Sequence, residues 1–265
     1  MISKSALKYG GLIVLLLMLS PWVSIAAEGM IFDFESGIFP NDSLQGGNAW
    51  LQPADVGVQI ESDQVDKSRG NVCTNDNENR GGVVLRSKQI DNAILRDAWS
   101  TLTVCLLFRA SPVSTTPVFF ERLSAASSDH VGFFRFSNQS NSGDDHIRKG
   151  TLRINARKET GEVVSAISTL PWVQMDSTWH WVAFVFDAGK VRFLVDGEPL
   201  GEPIDLQLNQ IPAVKDEKYL LRSGFGFRGG FDDLLILPGR ALTDDQLKTI
   251  YKKGIQSAEG KAILK

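Results

Sequence analysis

The stretch from Thr178 to Gly201 constrains the fold more than any other part of the chain. It reads Thr-Trp-His-Trp-Val-Ala-Phe-Val-Phe-Asp-Ala-Gly-Lys-Val-Arg-Phe-Leu-Val-Asp-Gly-Glu-Pro-Leu-Gly. From Trp179 to Phe186 nearly every residue is aromatic or β-branched, and neither Pro nor Gly interrupts the run, which is strand composition. The Asp187–Lys190 turn joins this strand to a second over Lys190–Val195. Asp196-Gly197 then suits a two-residue reversal that needs positive φ, so Glu198 onward should fold back on the second strand. Two successive hairpins this apolar require a second layer to cover them, and an all-β sandwich supplies it.

The rest of the chain keeps the same rhythm. Strands are expected over Met30–Glu35, Gly57–Ile60, Val83–Ser87, Thr101–Arg109, Pro117–Leu123, Val131–Phe136, Thr151–Arg157, Gly224–Phe227 and Phe231–Leu237. Turn-rich segments such as Pro40–Gly47, Ser68–Gly82 and Ser137–Gly150 separate them. Many short strands of this kind argue for a sandwich or jelly roll over an α/β plan. One helix is signalled near the end. Thr243 and Gln246 form a capping box, Asp244 and Asp245 complement the helix dipole, and Leu242 with Leu247 makes a hydrophobic staple. Ile250 and Tyr251 continue the apolar side, and Gly254 ends the helix.

At the amino terminus Lys4 and Lys8 precede an apolar run from Leu12 to Leu19, closed by Ser20-Pro21 and followed by Ser24-Ile25-Ala26-Ala27. This is the order of a secretory signal, and the run is short for a bilayer span. The expected organisation is therefore a signal peptide over 1–27 and one domain over 28–265, exported to the periplasm or beyond. The formal net charge is −3 and becomes more negative on loss of the two lysines. No basic run exists, which argues against nucleic acid and anionic membrane surfaces as partners. After cleavage no segment is expected to insert stably in a membrane. Cys73 and Cys105 are the only cysteines. In an oxidising compartment they could pair; the alternative is two unpaired thiols, with Cys105 buried in its strand.

The later segment Gly224-Phe-Gly-Phe-Arg-Gly-Gly-Phe-Asp-Asp-Leu-Leu-Ile-Leu-Pro-Gly-Arg-Ala-Leu-Thr-Asp-Asp-Gln-Leu completes a pattern begun by Trp179-His-Trp-Val-Ala-Phe and Val191-Arg-Phe-Leu-Val-Asp-Gly-Glu. Together they resemble the LamG-like family of the concanavalin A-like lectin/glucanase superfamily. Ile31-Phe-Asp-Phe-Glu-Ser-Gly resembles the opening strand of secreted bacterial members. The resemblance implies a two-sheet antiparallel jelly-roll sandwich with one short C-terminal helix and adjacent first and last strands. It also implies a structural Ca²⁺ at that seam, held by Asp33, Glu35 and Asp232. A hard cation wants several oxygen ligands, and carboxylates brought together would otherwise repel. Hydrogen bonding to backbone groups is the alternative role for these acids.

Such folds bind sugars or cut them, and the residues favour binding. Laminarinase-like hydrolases of the superfamily carry Glu-x-Asp-x-x-Glu on one strand, so that two carboxylates flank the scissile bond. The near miss here, Glu61-Ser-Asp-Gln-Val-Asp66, ends in Asp and runs into a polar loop, so Glu61 and Asp66 are read as surface residues. No Gly-x-Ser-x-Gly elbow is present, and His130, His146 and His180 are too scattered for a zinc signature. His180, inside its strand, is read as structural. Trp50 and Trp172 lie outside regular strands and are candidates to stack on a sugar ring, or else to cover the core edge. Asp144, Asp145 and His146 mark a candidate calcium- or sugar-binding loop, or a solvated hairpin tip. The expected function is a noncatalytic module that recognises a polysaccharide or glycoprotein. The alternative is a glycoside hydrolase or polysaccharide lyase of the same fold.

Overall fold

The computed structural model describes residues 30–32, 42–43, 52–53, 58–63, 67, 70–75, 83–86, 96–111, 117–124, 133–139, 151–170, 176–214, 219–223 and 228–265. Two antiparallel sheets face each other. The first is built on β7 (Thr101–Ala110), β12 (His180–Asp187), β13 (Lys190–Val195) and β17 (Gly229–Pro238). It extends through β1 (Met30–Phe32) and β2 (Asp42–Ser43), and through β4 (Val58–Ser62) and β5 (Asn71–Asn75). Short strands β14 (Glu198–Pro199) and β15 (Ile204–Asp205) finish its other edge. The second sheet runs β11 (Val163–Ile167), β10 (Thr151–Arg157), β9 (Phe134–Gln139), β8 (Val118–Ser124), β16 (Tyr219–Ser223), β6 (Val83–Arg86) and β3 (Gln52–Pro53). β1 pairs with β17, Phe32 opposite Leu234, so the first and last strands are neighbours.

The turns of the opening segment form as their residues require. Ala188 and Gly189 take φ of 42° and 96°, and Asp196 and Gly197 take 48° and 81°, the positive values of tight hairpins. Asp196 tolerates this because its carboxylate accepts the Trp181 N–H at 2.8 Å. At Gly197 a Cβ would stand 2.5 Å from Tyr251 Cδ1, so only glycine lets the helix ring close over the turn.

β12 has no polar side because both its faces are covered. Val182, Phe184 and Phe186 enter the core between the sheets, where Phe184 lies 5.3 Å from Phe134 and 4.8 Å from Phe136, ring centre to ring centre. Trp181, Ala183 and Val185 point the other way, into a second cluster with Leu235, Leu242, Leu247, Ile250 and Ile255. The cover is α1 (Asp244–Lys253), with the capping box in place: Gln246 N–H donates to Thr243 Oγ1 at 3.2 Å, and Thr243 N–H donates to Gln246 Oε1 at 2.9 Å. Leu247 is fully buried. Each such side chain is worth about 1.5–3 kcal/mol of transfer free energy.

Several elements differ from expectation. A second helix, α2 (Ala258–Leu264), follows α1, capped by Ser257. Its seven residues are too few to show periodicity, and its Gly260 reads as a breaker. The glycine is there because a Cβ would sit 2.4 Å from the Gly254 carbonyl. β5 lies inside the segment expected as turn, since the edge of β17 at Gly229–Phe231 recruits it. β11 and β16 were not foreseen, and the strand expected over Gly224–Phe227 lies outside the described residues. Cys73 and Cys105 are both buried and unpaired. Cys73 faces the inter-sheet core and Cys105 the helix side, with β17 between their strands, so the disulfide has no route.

Candidate functional site

The outer face of the second sheet is organised differently. β9, β10 and β11 alternate over much of their length: Phe134, Phe136, Leu152, Ile154, Ala156, Val164 and Ala166 fill the core, and Arg135, Arg153, Asn155 and Ser165 between them face outward. Backbone register then lines up one outward row across four strands, Glu121, Arg135, Asn155 and Ser165. Arg153 stands diagonally beside Arg135, opposite Ser137.

Within this row the polar groups hold one another. Arg135 Nε donates to Glu121 Oε2 at 2.8 Å; the Glu121 side chain is fully buried and that of Arg135 is 34% exposed. Arg153 donates from Nε to Asn155 Oδ1 at 2.8 Å and from Nη2 to Ser165 Oγ at 3.2 Å. Ser165 Oγ in turn donates to Asn155 Oδ1 at 2.7 Å. Asn155 thus fixes the plane of the Arg153 guanidinium. Arg153 is held below the usual arginine pKa, first by burial and then by the charge of Arg135. Arg157, two residues further along the same face, has a buried Nε with no hydrogen-bond partner. Arg122, on β8, points inward instead. It is buried against the Trp99 ring at 3.7 Å and donates to the Asp97 and Pro212 carbonyls at 2.9 and 2.5 Å.

Among the described residues, the strands of this sheet carry one carboxylate side chain, Glu121. General acid–base cleavage of a glycosidic bond needs two that can exchange protons with substrate and water. A single buried, ion-paired glutamate is suited to positioning Arg135. What the face offers is a set of oriented donors and acceptors on rigid strands.

Of the residues expected to hold a ligand or metal, Asp232 is described. It is 4% exposed and lies at a bulge, where β17 gains a residue on β7 between the pairs Asp232–Leu107 and Leu235–Cys105. Asp233 follows with φ of 49° and donates its N–H to Asp232 Oδ1 at 2.8 Å. Asp33, Glu35, Trp50, Asp144, Asp145, His146 and Trp172 lie outside the described residues, as do the signal segment and Asp66. Among the described residues no group of three or more His, Cys, Asp or Glu side chains is placed to hold a metal.

The near-miss acid motif has a structural use. Its middle residue, Asp63, is buried, bonding Arg109 Nη1 at 3.2 Å and accepting from Trp179 Nε1 at 2.6 Å. His180 is held between Asp196 Oδ2 on Nδ1 at 3.0 Å and Thr178 Oγ1 on Nε2 at 2.9 Å. The bond to Asp196 raises its pKa against the opposing effect of burial. It is a structural histidine, as its strand position predicted.

Sequence reading passed over Arg135, Arg153 and Asn155 because they are scattered singly among apolar residues. The alternation in Phe-Arg-Phe-Ser-Asn and Thr-Leu-Arg-Ile-Asn-Ala-Arg was the signal for a common outward face.

Comparison with known proteins agrees with this architecture. A family model, Laminin_G_3, described as the concanavalin A-like lectin/glucanases superfamily, matches residues 81–248. No curated protein matches the sequence. Among solved structures the chain is similar to domain 4 of AbnA, a GH43 extracellular arabinanase from Geobacillus stearothermophilus, in complex with arabinotriose. The TM-score is 0.58 at 14% identity, covering 85% of this chain and 98% of that one. It is also similar to the binding domain of Paraclostridial Mosquitocidal Protein 1, with TM-score 0.55 and 12% identity over 88% of this chain and 53% of the other. A botulinum neurotoxin type C structure matches with TM-score 0.57 and 10% identity, over 85% of this chain and 51% of that one. The chain spans about half the length of these two toxin chains, and identities this low speak for the fold alone. The family match covers more than half of the sequence, and the chain belongs to the Laminin_G_3 family of the concanavalin A-like lectin/glucanase superfamily.

Proposed function

We propose that this protein is a noncatalytic carbohydrate-binding module that holds a polysaccharide or glycoprotein glycan on the outer face of its second sheet. The carrying observation is the row Glu121, Arg135, Asn155 and Ser165, with Arg153 oriented beside it. Hydroxyl-rich ligands are recognised by such fixed donors and acceptors, and strands fix them better than loops do. The similar AbnA domain was solved with arabinotriose, and the neurotoxin type C structure concerns ganglioside interaction, which supports a saccharide as the ligand class. Screening the chain on a glycan array, with reducing-end release measured on the same polysaccharides, tests the reading. Saturable binding without release is expected. Release of reducing ends would replace the module with an enzyme, and Asn155→Ala with undiminished binding would move the site elsewhere.

Export and calcium belong to the same proposal. Cleavage after Ala26 or Ala27 gives an exported chain, and intact-mass analysis that finds Met1 retained would refute it. A structural Ca²⁺ held by Asp33, Glu35 and Asp232 would neutralise acids gathered at the seam of β1 and β17. The burial of Asp232 beside Asp233 and the pairing of Phe32 with Leu234 support that placement. Excess Ca²⁺ should then stabilise metal-stripped protein by about 2.7 kcal/mol at a hundredfold over Kd, read as a higher melting temperature. Identical melting in chelator and in calcium would remove the ion.

A further inference from the structure

The sequence as a whole is acidic, with a formal net charge of −3. The second sheet is not. Among the described residues its strands hold arginine at positions 86, 122, 135, 153, 157 and 222 against the single Glu121. Register places Arg135, Arg153 and Arg157 on the outer side, with Arg135 opposite Asn155 and Arg153 opposite Ser137. A basic face is thus assembled from residues that are never adjacent in sequence.

Building on the carbohydrate-binding reading, we propose that this face recognises an anionic saccharide, its carboxylate or sulfate group paired with Arg153 and Arg135. The guanidinium is a planar fork that matches such oxyanions with two parallel hydrogen bonds. Arg153 is held ready for this by Asn155 and Ser165, so less conformational entropy is lost on binding. Arg135 is anchored at Nε by Glu121, which fixes the plane of its guanidinium. The two guanidiniums are close enough to depress the Arg153 pKa, and an anion between them would relieve the repulsion. Arg157 adds an unsatisfied donor on the same side.

Saccharide chemistry is favoured over other anions by what lies among the arginines. Asn155 and Ser165 occupy the same outward face, and Asn155 uses its Oδ1 on Arg153 and Ser165, so its amide nitrogen is the group that would donate to a sugar hydroxyl. Neighbouring strands stand about 4.8 Å apart, on the scale of one sugar ring, so successive strands can meet successive ring substituents.

The test uses the full chain and matched polymers: polygalacturonate against its fully methyl-esterified form, and dextran sulfate against dextran. At least one anionic member should bind about tenfold or more tightly than its neutral partner, and added salt should weaken it. Arg153→Gln should lower that affinity about ten- to hundredfold. Arg153→Lys should recover only part of it, because the charge returns without the fork. Lys190→Gln, exposed on the first sheet, should change nothing. Melting curves of each variant separate lost binding from lost fold. Equal affinity for charged and neutral members, both weakened by Asn155→Ala, would overturn the anion preference and keep the carbohydrate reading. Binding to none of these polymers, with a neutral glycan bound on the array, would also overturn it. Absence of any saccharide ligand would remove both. Affinity for oligothymidylate or phosphatidylglycerol vesicles equal to that for the anionic polymer would show general anion binding and overturn the saccharide claim. Undiminished binding by a folded Arg153→Gln protein would overturn the site.

Discussion

β12 and β10 are both central, antiparallel strands of similar length, yet they read as different kinds of sequence. His-Trp-Val-Ala-Phe-Val-Phe-Asp is almost wholly apolar, and Thr-Leu-Arg-Ile-Asn-Ala-Arg alternates. The difference lies in what covers them. β12 has the second sheet on one side and α1 on the other, so both faces are paid for by apolar burial. β10 has the core beneath it, and its outer side carries Arg153, Asn155 and Arg157. A strand covered twice is committed to stability, whereas one covered once has half its residues available for recognition.

That contrast can be broken by mutation. The largest effect is expected for Phe184→Ala, which empties a fully buried site among Phe134 and Phe136 and should cost about 3–5 kcal/mol in chemical denaturation. Leu247→Ala tests the other cover. It should cost about 2–5 kcal/mol, and an unchanged midpoint would show that α1 contributes nothing to the first sheet.

His180 sharpens the comparison at the polar start of β12. Its hydrogen bond to Asp196, and then the charges of Asp196 and Asp176, raise its pKa above the ordinary value of 6.5. The folded state therefore binds the proton more tightly than the unfolded chain. The resulting stability is complete below about pH 6.5 and is lost as pH rises through the higher folded-state pKa. The urea midpoint should fall across that interval, and His180→Gln should flatten the dependence. A midpoint that instead rises there would reverse the assigned direction.

The smallest effect on folding is expected on the outer face of β10. Asn155→Ala removes half-exposed hydrogen bonds and should change stability by no more than about 1 kcal/mol, while weakening ligand binding. A loss as large as that of Phe184→Ala would make the face a structural network and erase the distinction between the sheets.

How much could be read beforehand follows the same division. Elements marked by local chemistry were legible: the Asp-Gly turn at Asp196, the Thr243 capping box, the apolar run of β12. Each depends on residues within one turn or hairpin of one another. β5 and β16 were not, since composition alone gives Asn-Val-Cys-Thr-Asn no reason to be a strand until the edge of β17 is beside it. Asp63 carries no local mark of burial; its burial depends on Arg109 and Trp179, distant in sequence.

The candidate site was the least legible part, and for a physical reason. The sequence by itself determined the alternation of β9 and β10, the hairpin turns and the capped helix, because backbone geometry and solvent preference act over a few residues. Tertiary structure decided which faces stayed open and which side chains met there. Arg135 and Arg153 are separated by a chain reversal, and Glu121 and Ser165 come from two further strands. Only the register of four strands makes them neighbours, and that register is set by packing the far side of each strand into a common core.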